Sequence, residues 1–239
     1  MNRRSILAGA ALLPIATPAA AAVIAEDDAA RRLREDWAWL ARYADDNRRL
    51  IETKARTDIV FMGDSITEGW RDKRPGFFVP GRVGRGIGGQ TTPQMLVRMM
   101  PDVVALRPRA VHIMAGTNDI AGNTGPTTPQ MTQDNIAAMA TLARANGMKV
   151  LLASIPPAEN FPWRPGLETR RPIAALNAWI QDYAQRTDAT WVDYHPALAT
   201  PAGAMRAGLA TDGVHPTEAG YDAMAAVLAP VLKQMGLAA

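Results

Sequence analysis

The stretch Asp58-Ile59-Val60-Phe61-Met62-Gly63-Asp64-Ser65-Ile66-Thr67 carries the strongest structural signal in the chain. Ile59 to Met62 are four apolar residues in a row, three of them β-branched or aromatic. That is the composition of a strand buried on both faces, as in a parallel sheet flanked by helices. In open α/β sheets ligands are met beyond the carboxyl ends of the strands. Gly63 permits a tight turn there, and Ser65 follows as a candidate nucleophile. The plainer reading is a strand-to-helix turn with Ser65 as the helix cap. The rest of the chain weighs between the two.

Downstream, the same alternation repeats. Strands are expected near Arg82 to Gly86, Ala110 to Ala115, Lys149 to Ser154 and Thr190 to Tyr194. Between and after them come helices from Thr92 to about Leu106, Thr128-Pro129 to about Asn146, Arg171 to Thr187, and Thr217 to about Met235. Thr92 before Pro93 is a good helix start, and Gly147 a good stop. Met95, Met99 and Met100 are expected to fill the core. Five strands alternating with helices predict a three-layer α/β/α sandwich on a parallel sheet.

Upstream, Asp27 to about Tyr43 has a helical period, with Leu33, Trp37, Leu40 and Ala41 forming one stripe expected to pack on the core. Residues 1–25 carry Arg3-Arg4, an apolar run from Ile6 to Ala16, and an alanine-rich end. This is the layout of a signal peptide, with the paired arginines and Ser5-Ile6-Leu7 resembling a twin-arginine export signal. Residues 26–239 are then expected to form a single domain, periplasmic or secreted, with no stable membrane association once the leader is removed.

With 239 residues, 48% of them hydrophobic, the chain is long enough to bury a full core. The formal net charge is +3, and without Arg3 and Arg4 it falls to 24 basic residues against 23 acidic. That near-neutral balance, with no basic stripe, excludes nucleic acid as the expected partner. There is no cysteine, which removes disulfides, thiolate metal sites, a cysteine nucleophile and a lipidated N-terminal cysteine.

A serine hydroxyl needs a base within hydrogen-bond reach, itself oriented by a third group. The chain has three histidines. His112 lies within an apolar strand, where a buried structural role is expected. His195, after Asp193 at the end of the fifth strand, makes one pair at the correct edge. His215, three residues after Asp212 and followed by Pro216, makes the favoured one, because one turn of chain brings both side chains to the same side. Oxyanion donors can come from Asn118, from Gly89 and from the N–H of Ser65, since all follow strand ends. Trp70, Phe161, Trp163 and Arg164 are candidates for substrate contact, a flat indole suiting a sugar face. No HExxH or other ligand cluster appears, so neither metal nor cofactor is expected.

Gly63-Asp64-Ser65, then Gly89, then Gly116-Thr117-Asn118-Asp119, then Asp212-Gly213-Val214-His215 resemble, in this order, the four signature blocks of the SGNH (GDSL-type) hydrolases. The resemblance implies a flavodoxin-like sheet, Ser65 as nucleophile, Asp212 and His215 completing the triad, and Ser65, Gly89 and Asn118 as oxyanion donors. The fuller strings from Gly63 to Trp70 and from Arg85 to Thr92 are similar to the branch related to platelet-activating-factor acetylhydrolase. Gln90 departs from a familiar aspartate and is expected to alter the support of the loop. The expected activity is removal of short acyl groups, acetyl above all, from an alcohol or carbohydrate. Lysophospholipase or thioesterase action at the same site is the alternative.

Three other readings compete. An α/β-hydrolase elbow needs GxSxG, and Thr67 occupies the last position. Gly84, Gly86 and Gly89 spell the dinucleotide fingerprint, with Asp102 as the ribose contact, but Pro80-Gly81 interrupts the approach and a strand already precedes it. A binding module without turnover has no need of Ser65, Asp212, His215 and Asn118 together.

Overall fold

A computed structural model of the chain describes residues 30–237. The leader-like residues 1–25 lie outside the described residues. The chain divides into two units, Met1–Trp37 and Ala38–Ala239. In the first, residues 30–35 are helical (α1). The expected single helix to Tyr43 does not form, because Trp39 turns the backbone left-handed at φ 54° before a 3-10 turn, Leu40–Tyr43. Leu40 and Ala41 face solvent, and Tyr43 is the residue that goes inward.

The second unit runs α2 (Ala44–Glu52), β1 (Thr57–Gly63), α3 (Ser65–Lys73), β2 (Gly81–Gly86), α4 (Thr92–Asp102), β3 (Ala110–Met114), α5 (Thr117–Ala121), α6 (Pro129–Ala145), β4 (Lys149–Ala153), α7 (Arg170–Arg186), β5 (Thr190–Val192), α8 (His195–Leu198) and α9 (Glu218–Gln234). All strand pairs are parallel, in the order β2-β1-β3-β4-β5. This is the flavodoxin-like order, with helices on both faces. The direction of winding reverses between β1 and β3, so the crevice at the switch point opens where Ser65 and Asn118 follow their strands.

Ile59, Val60, Phe61 and Met62 are each 0% exposed, which is why this run reads as uninterrupted apolar sequence. Phe61 meets the edges of Trp70, Phe77 and Phe78. Trp70 stacks on Phe77 at 4.6 Å and on Tyr221 at 5.8 Å. The Tyr221 hydroxyl donates to the Ile66 carbonyl at 2.9 Å, tying α9 to the helix that begins at Ser65. Met95 and Met99 are buried, but Met100 is 53% exposed on the outer face of α4 and fills no core.

The buried arginines are paired, as their desolvation requires. Arg98, 0% exposed, donates to Asp102 at 2.8 Å, to the Gln90 side chain at 2.6 Å and to the Arg85 carbonyl at 2.6 Å. Asp102 also accepts from Asn47 at 2.6 Å, and Asn47 accepts in turn from Arg85. Asp102 is therefore consumed inside the protein, which overturns the dinucleotide reading. Gly86 of that reading serves packing: a Cβ on it would stand 2.2 Å from the Glu68 nitrogen, so α3 lies directly on β2 there.

Candidate active site

Gly63 ends β1 without a positive φ, contrary to the tight-turn expectation. Its service is space: a Cβ would fall 2.1 Å from the Thr67 hydroxyl and 2.9 Å from the Met114 carbonyl. Asp64, not Ser65, caps α3, its carboxylate accepting the Ile66 N–H at 2.9 Å. Ser65 is thus the first helical residue. Similarly, Thr91 rather than Thr92 caps α4, in a capping box with Gln94. Thr92 is freed to donate its N–H to Asp119 at 3.0 Å, which fastens the loop after β2 to the one after β3.

Ser65 Oγ lies 2.9 Å from His215 Nε2, and His215 Nδ1 lies 2.7 Å from Asp212 Oδ2. The loop that brings them is closed by a bridge between Ala210 and Pro216 and turned by Gly213 at φ 85°. Burial alone would raise the Asp212 carboxyl, but the His215 N–H at 2.8 Å, the imidazole and the Val214 N–H at 3.0 Å outweigh it and hold it below the usual carboxylate range. An ionised Asp212 keeps the proton on Nδ1 and leaves Nε2 to accept from the serine hydroxyl.

Ile87 to Gln90 form a turn closed by the Gln90 N–H on the Ile87 carbonyl at 3.3 Å, with Gly89 at φ 76°. A side chain there would be strained, so the position requires glycine. Gly88 stands so close that a Cβ on it would be 3.7 Å from Ser65 Cβ. Its N–H is held by Glu68 at 2.8 Å, whereas the Gly89 N–H finds no partner among the described residues. Asn118, 3% exposed, donates one N–H to the Gln90 carbonyl at 3.0 Å and has the other to spare. The Gln90 side chain is clamped between Arg98 and the Ala38 carbonyl, at 2.6 and 2.7 Å. Serine, imidazole and carboxylate in line, beside donors without internal partners, are the parts an acyl transfer needs.

The other sequence candidates separate. Trp70 is corrected: it is 0% exposed inside the aromatic cluster and reaches no substrate. Phe161 is likewise 0% exposed, stacked beneath Trp163 at 5.1 Å, and supports that ring without reaching the surface itself. Trp163 is 37% exposed with its ring 5.8 Å from that of His215, and Arg164 beside it is exposed. His112 is fully buried against the Tyr194 hydroxyl at 2.9 Å, and burial pushes its pKa down to about 3. His195 donates its backbone N–H to the Asp193 carboxylate and to the Ser154 hydroxyl, each at 3.1 Å, and it is His215 that meets the Ser65 hydroxyl. Sequence reasoning passed over Glu68, whose spacing from Ser65 places it one helical turn on, and Asn123, which follows the glycine that ends α5. No group of three or more metal-ligating side chains occurs among the described residues. None of the described helices is long and apolar enough to cross a membrane.

The model of the GDSL-like lipase/acylhydrolase family matches residues 61–223. A solved structure of a candidate acylhydrolase from Bacteroides fragilis is 42% identical, covering 84% of this chain and 99% of its own, with a TM-score of 0.80. A GDSL-like lipase from Bacteroides thetaiotaomicron is also 42% identical, covering 84% of this chain and all of its own, with a TM-score of 0.78. An acetyl xylan esterase, 21% identical over 74% of this chain and 100% of its own, shares the fold at a TM-score of 0.60. No curated protein matches the chain. Sheet order, the meeting of Ser65 with His215 and the matched span agree with one another, and the chain belongs to the GDSL-like lipase/acylhydrolase family of ester hydrolases.

Proposed function

We propose that the protein is a serine esterase that removes short acyl groups, acetyl above all, from an alcohol or carbohydrate by way of an acyl-enzyme. The observation that carries the reading is the continuous contact from Ser65 Oγ through the imidazole to Asp212, at 2.9 and 2.7 Å. Ser65 Oγ attacks the ester carbonyl carbon while its proton passes to His215 Nε2. The carbonyl oxygen becomes negative and is met by N–H groups of Ser65, Gly89 and Asn118, each worth about 2.7 to 4 kcal/mol in the transition state. The C–O bond to the alcohol breaks as His215 returns the proton to it. Water, deprotonated by the same imidazole, then attacks the acyl carbon and frees Ser65.

The acetyl preference is supported by the block strings that resemble the platelet-activating-factor acetylhydrolase branch. The carbohydrate preference is supported by the exposed Trp163 face beside His215, a flat apolar surface on the imidazole side of the site. Export belongs to the same reading, supported by the paired arginines and apolar run of residues 1–25. A panel of p-nitrophenyl esters from acetate to palmitate, run beside acetylated xylo-oligosaccharides, tests it. Turnover falling steeply beyond butyrate, with acetate release from the sugars, is the expected result. Preference for long chains would replace the reading with a lipase.

A further inference from the structure

An asparagine amide serves an oxyanion only by its nitrogen end; its oxygen end repels the same charge. Asn118 therefore needs its amide held one way round, and three hydrogen bonds in series do this. The Trp163 indole N–H donates to Asn123 Oδ1 at 3.0 Å. Asn123 Nδ2 donates to Asn118 Oδ1 at 2.7 Å. Asn118 Nδ2 donates to the Gln90 carbonyl at 3.0 Å. An indole nitrogen donates and never accepts, and a carbonyl accepts and never donates, so the polarity of the series is fixed at both ends, by Trp163 and by the Gln90 carbonyl.

The backbone explains how Asn123 comes to be there. Gly122 ends α5 in the left-handed region at φ 66°, and its N–H bonds the Asp119 carbonyl. The Asn123 N–H bonds the Asn118 carbonyl at 3.1 Å. These are the two bonds of a Schellman cap, which folds the residue after the glycine back beside the first turn of the helix. The next residue, Thr124, shares a 2.6 Å hydroxyl contact with Thr91, so this cap is also fastened to the loop that carries Gly89.

We propose that Trp163 and Asn123 are positioning residues that fix the amide of Asn118 nitrogen-first toward the reacting oxygen. The proposal rests on the acyl-enzyme reading given above. Because the Trp163 ring also stands 5.8 Å from that of His215, one side chain adjoins the base and, through two hydrogen bonds, the oxyanion donor. A leaving group lying against the indole thus steadies the donor during the step in which it departs.

The test is steady-state hydrolysis of p-nitrophenyl acetate by Trp163→Phe, Asn123→Ala, their double variant and Asn123→Asp. Trp163→Phe keeps an aromatic ring over Phe161 and loses the N–H. It should lower kcat about three- to tenfold with KM nearly unchanged, the size of one net hydrogen bond. Asn123→Ala should match it, and the double variant should be no worse than the poorer single. Asn123→Asp can accept from Trp163 but cannot donate to Asn118, and should cost more than tenfold in kcat. It should also weaken a short alkylboronic acid, whose tetrahedral adduct occupies the same donors, by a similar factor. Asn123 is exposed, so its variants should keep the parent melting temperature. A wild-type enzyme that neither turns over esters nor is labelled at Ser65 by a fluorophosphonate would defeat the esterase reading, and this inference with it. An active wild type whose Trp163→Phe variant changes KM alone, whose two single effects multiply, or whose Asn123→Asp variant keeps full kcat would overturn this inference only.

Discussion

Glu68 and Gly88 are joined side chain to backbone at 2.8 Å, and the other oxygen of the same carboxylate takes the Arg42 guanidinium at 2.9 Å. Glu68 thereby occupies the Gly88 N–H and leaves that of Gly89 unspent, while Arg42 offsets a negative charge that would oppose an oxyanion. Glu68→Ala should lower kcat about tenfold, the worth of a hydrogen bond to a charged group, with KM little changed. Arg42→Ala should act in the same direction and more weakly. Steady-state kinetics on a single acetate ester check both, and an unaltered kcat in Glu68→Ala would remove the carboxylate from the account.

Ser65→Ala should abolish covalent labelling while the melting temperature stays near that of the parent. Asp212→Asn should lower kcat by about four orders of magnitude, because the amide imposes the wrong imidazole tautomer. The Asp212 carboxyl is held below the usual range, so it stays ionised well into acid. Asp212 is therefore expected to add no limb to the kcat/KM profile at or above the ordinary carboxylate range. A limb there that Asp212→Asn deletes would contradict this.

Asp64 is 2% exposed, and its desolvation raises its pKa from 3.8 to about 6 despite the Ile66 N–H that opposes the shift. The folded chain then keeps a proton that the unfolded chain has lost, so stability declines as pH rises from about 4 to about 6 and the cost is complete above that. At 1.36 kcal/mol per pH unit, the cost at neutral pH is on the order of 3 kcal/mol. Asp64→Asn retains a capping oxygen and should raise the melting temperature by several degrees at pH 7.5, with little effect at pH 4. Equal shifts at both pH values would count against the buried charge as the cause.

Trp70→Ala should cost about 3 to 5 kcal/mol, since it empties the centre of the cluster around Phe61, Phe77 and Tyr221. Trp70→Phe should cost much less, because the indole N–H is buried without a partner among the described residues and its removal offsets part of the lost volume. Chemical denaturation of both variants measures the difference. Near-parental KM in Trp70→Phe would fit its distance from solvent.

The parts of this molecule that sequence made legible are those fixed locally. Ile59 to Met62 announce a doubly covered strand, and proline or glycine marks the ends of α6. The period through Leu33, Trp37 and Leu40 misled, because one left-handed residue, Trp39, breaks a pattern that spacing alone continues. Helix α2 escaped notice because it buries only Asn47 and so has no apolar stripe to read. Trp70 and Trp163 are alike as residues; their opposite fates depend on tertiary neighbours that no window contains. The approach of Ser65 to His215 spans 150 positions, and only the ordered blocks pointed to it.

The grip of the N-terminal segment on the second loop has a bearing on where the working enzyme starts. Ala38 receives Gln90, Arg42 steadies Glu68, and Tyr43 donates to the Gly86 carbonyl, yet the family match begins only at residue 61. A fragment trimmed to that boundary would retain Ser65, Asp212 and His215 while the turn from Ile87 to Gln90 stood unbraced. A fragment that begins after Ala38 is therefore expected to lose activity, and engineers who shorten or fuse this chain should cut no later than that.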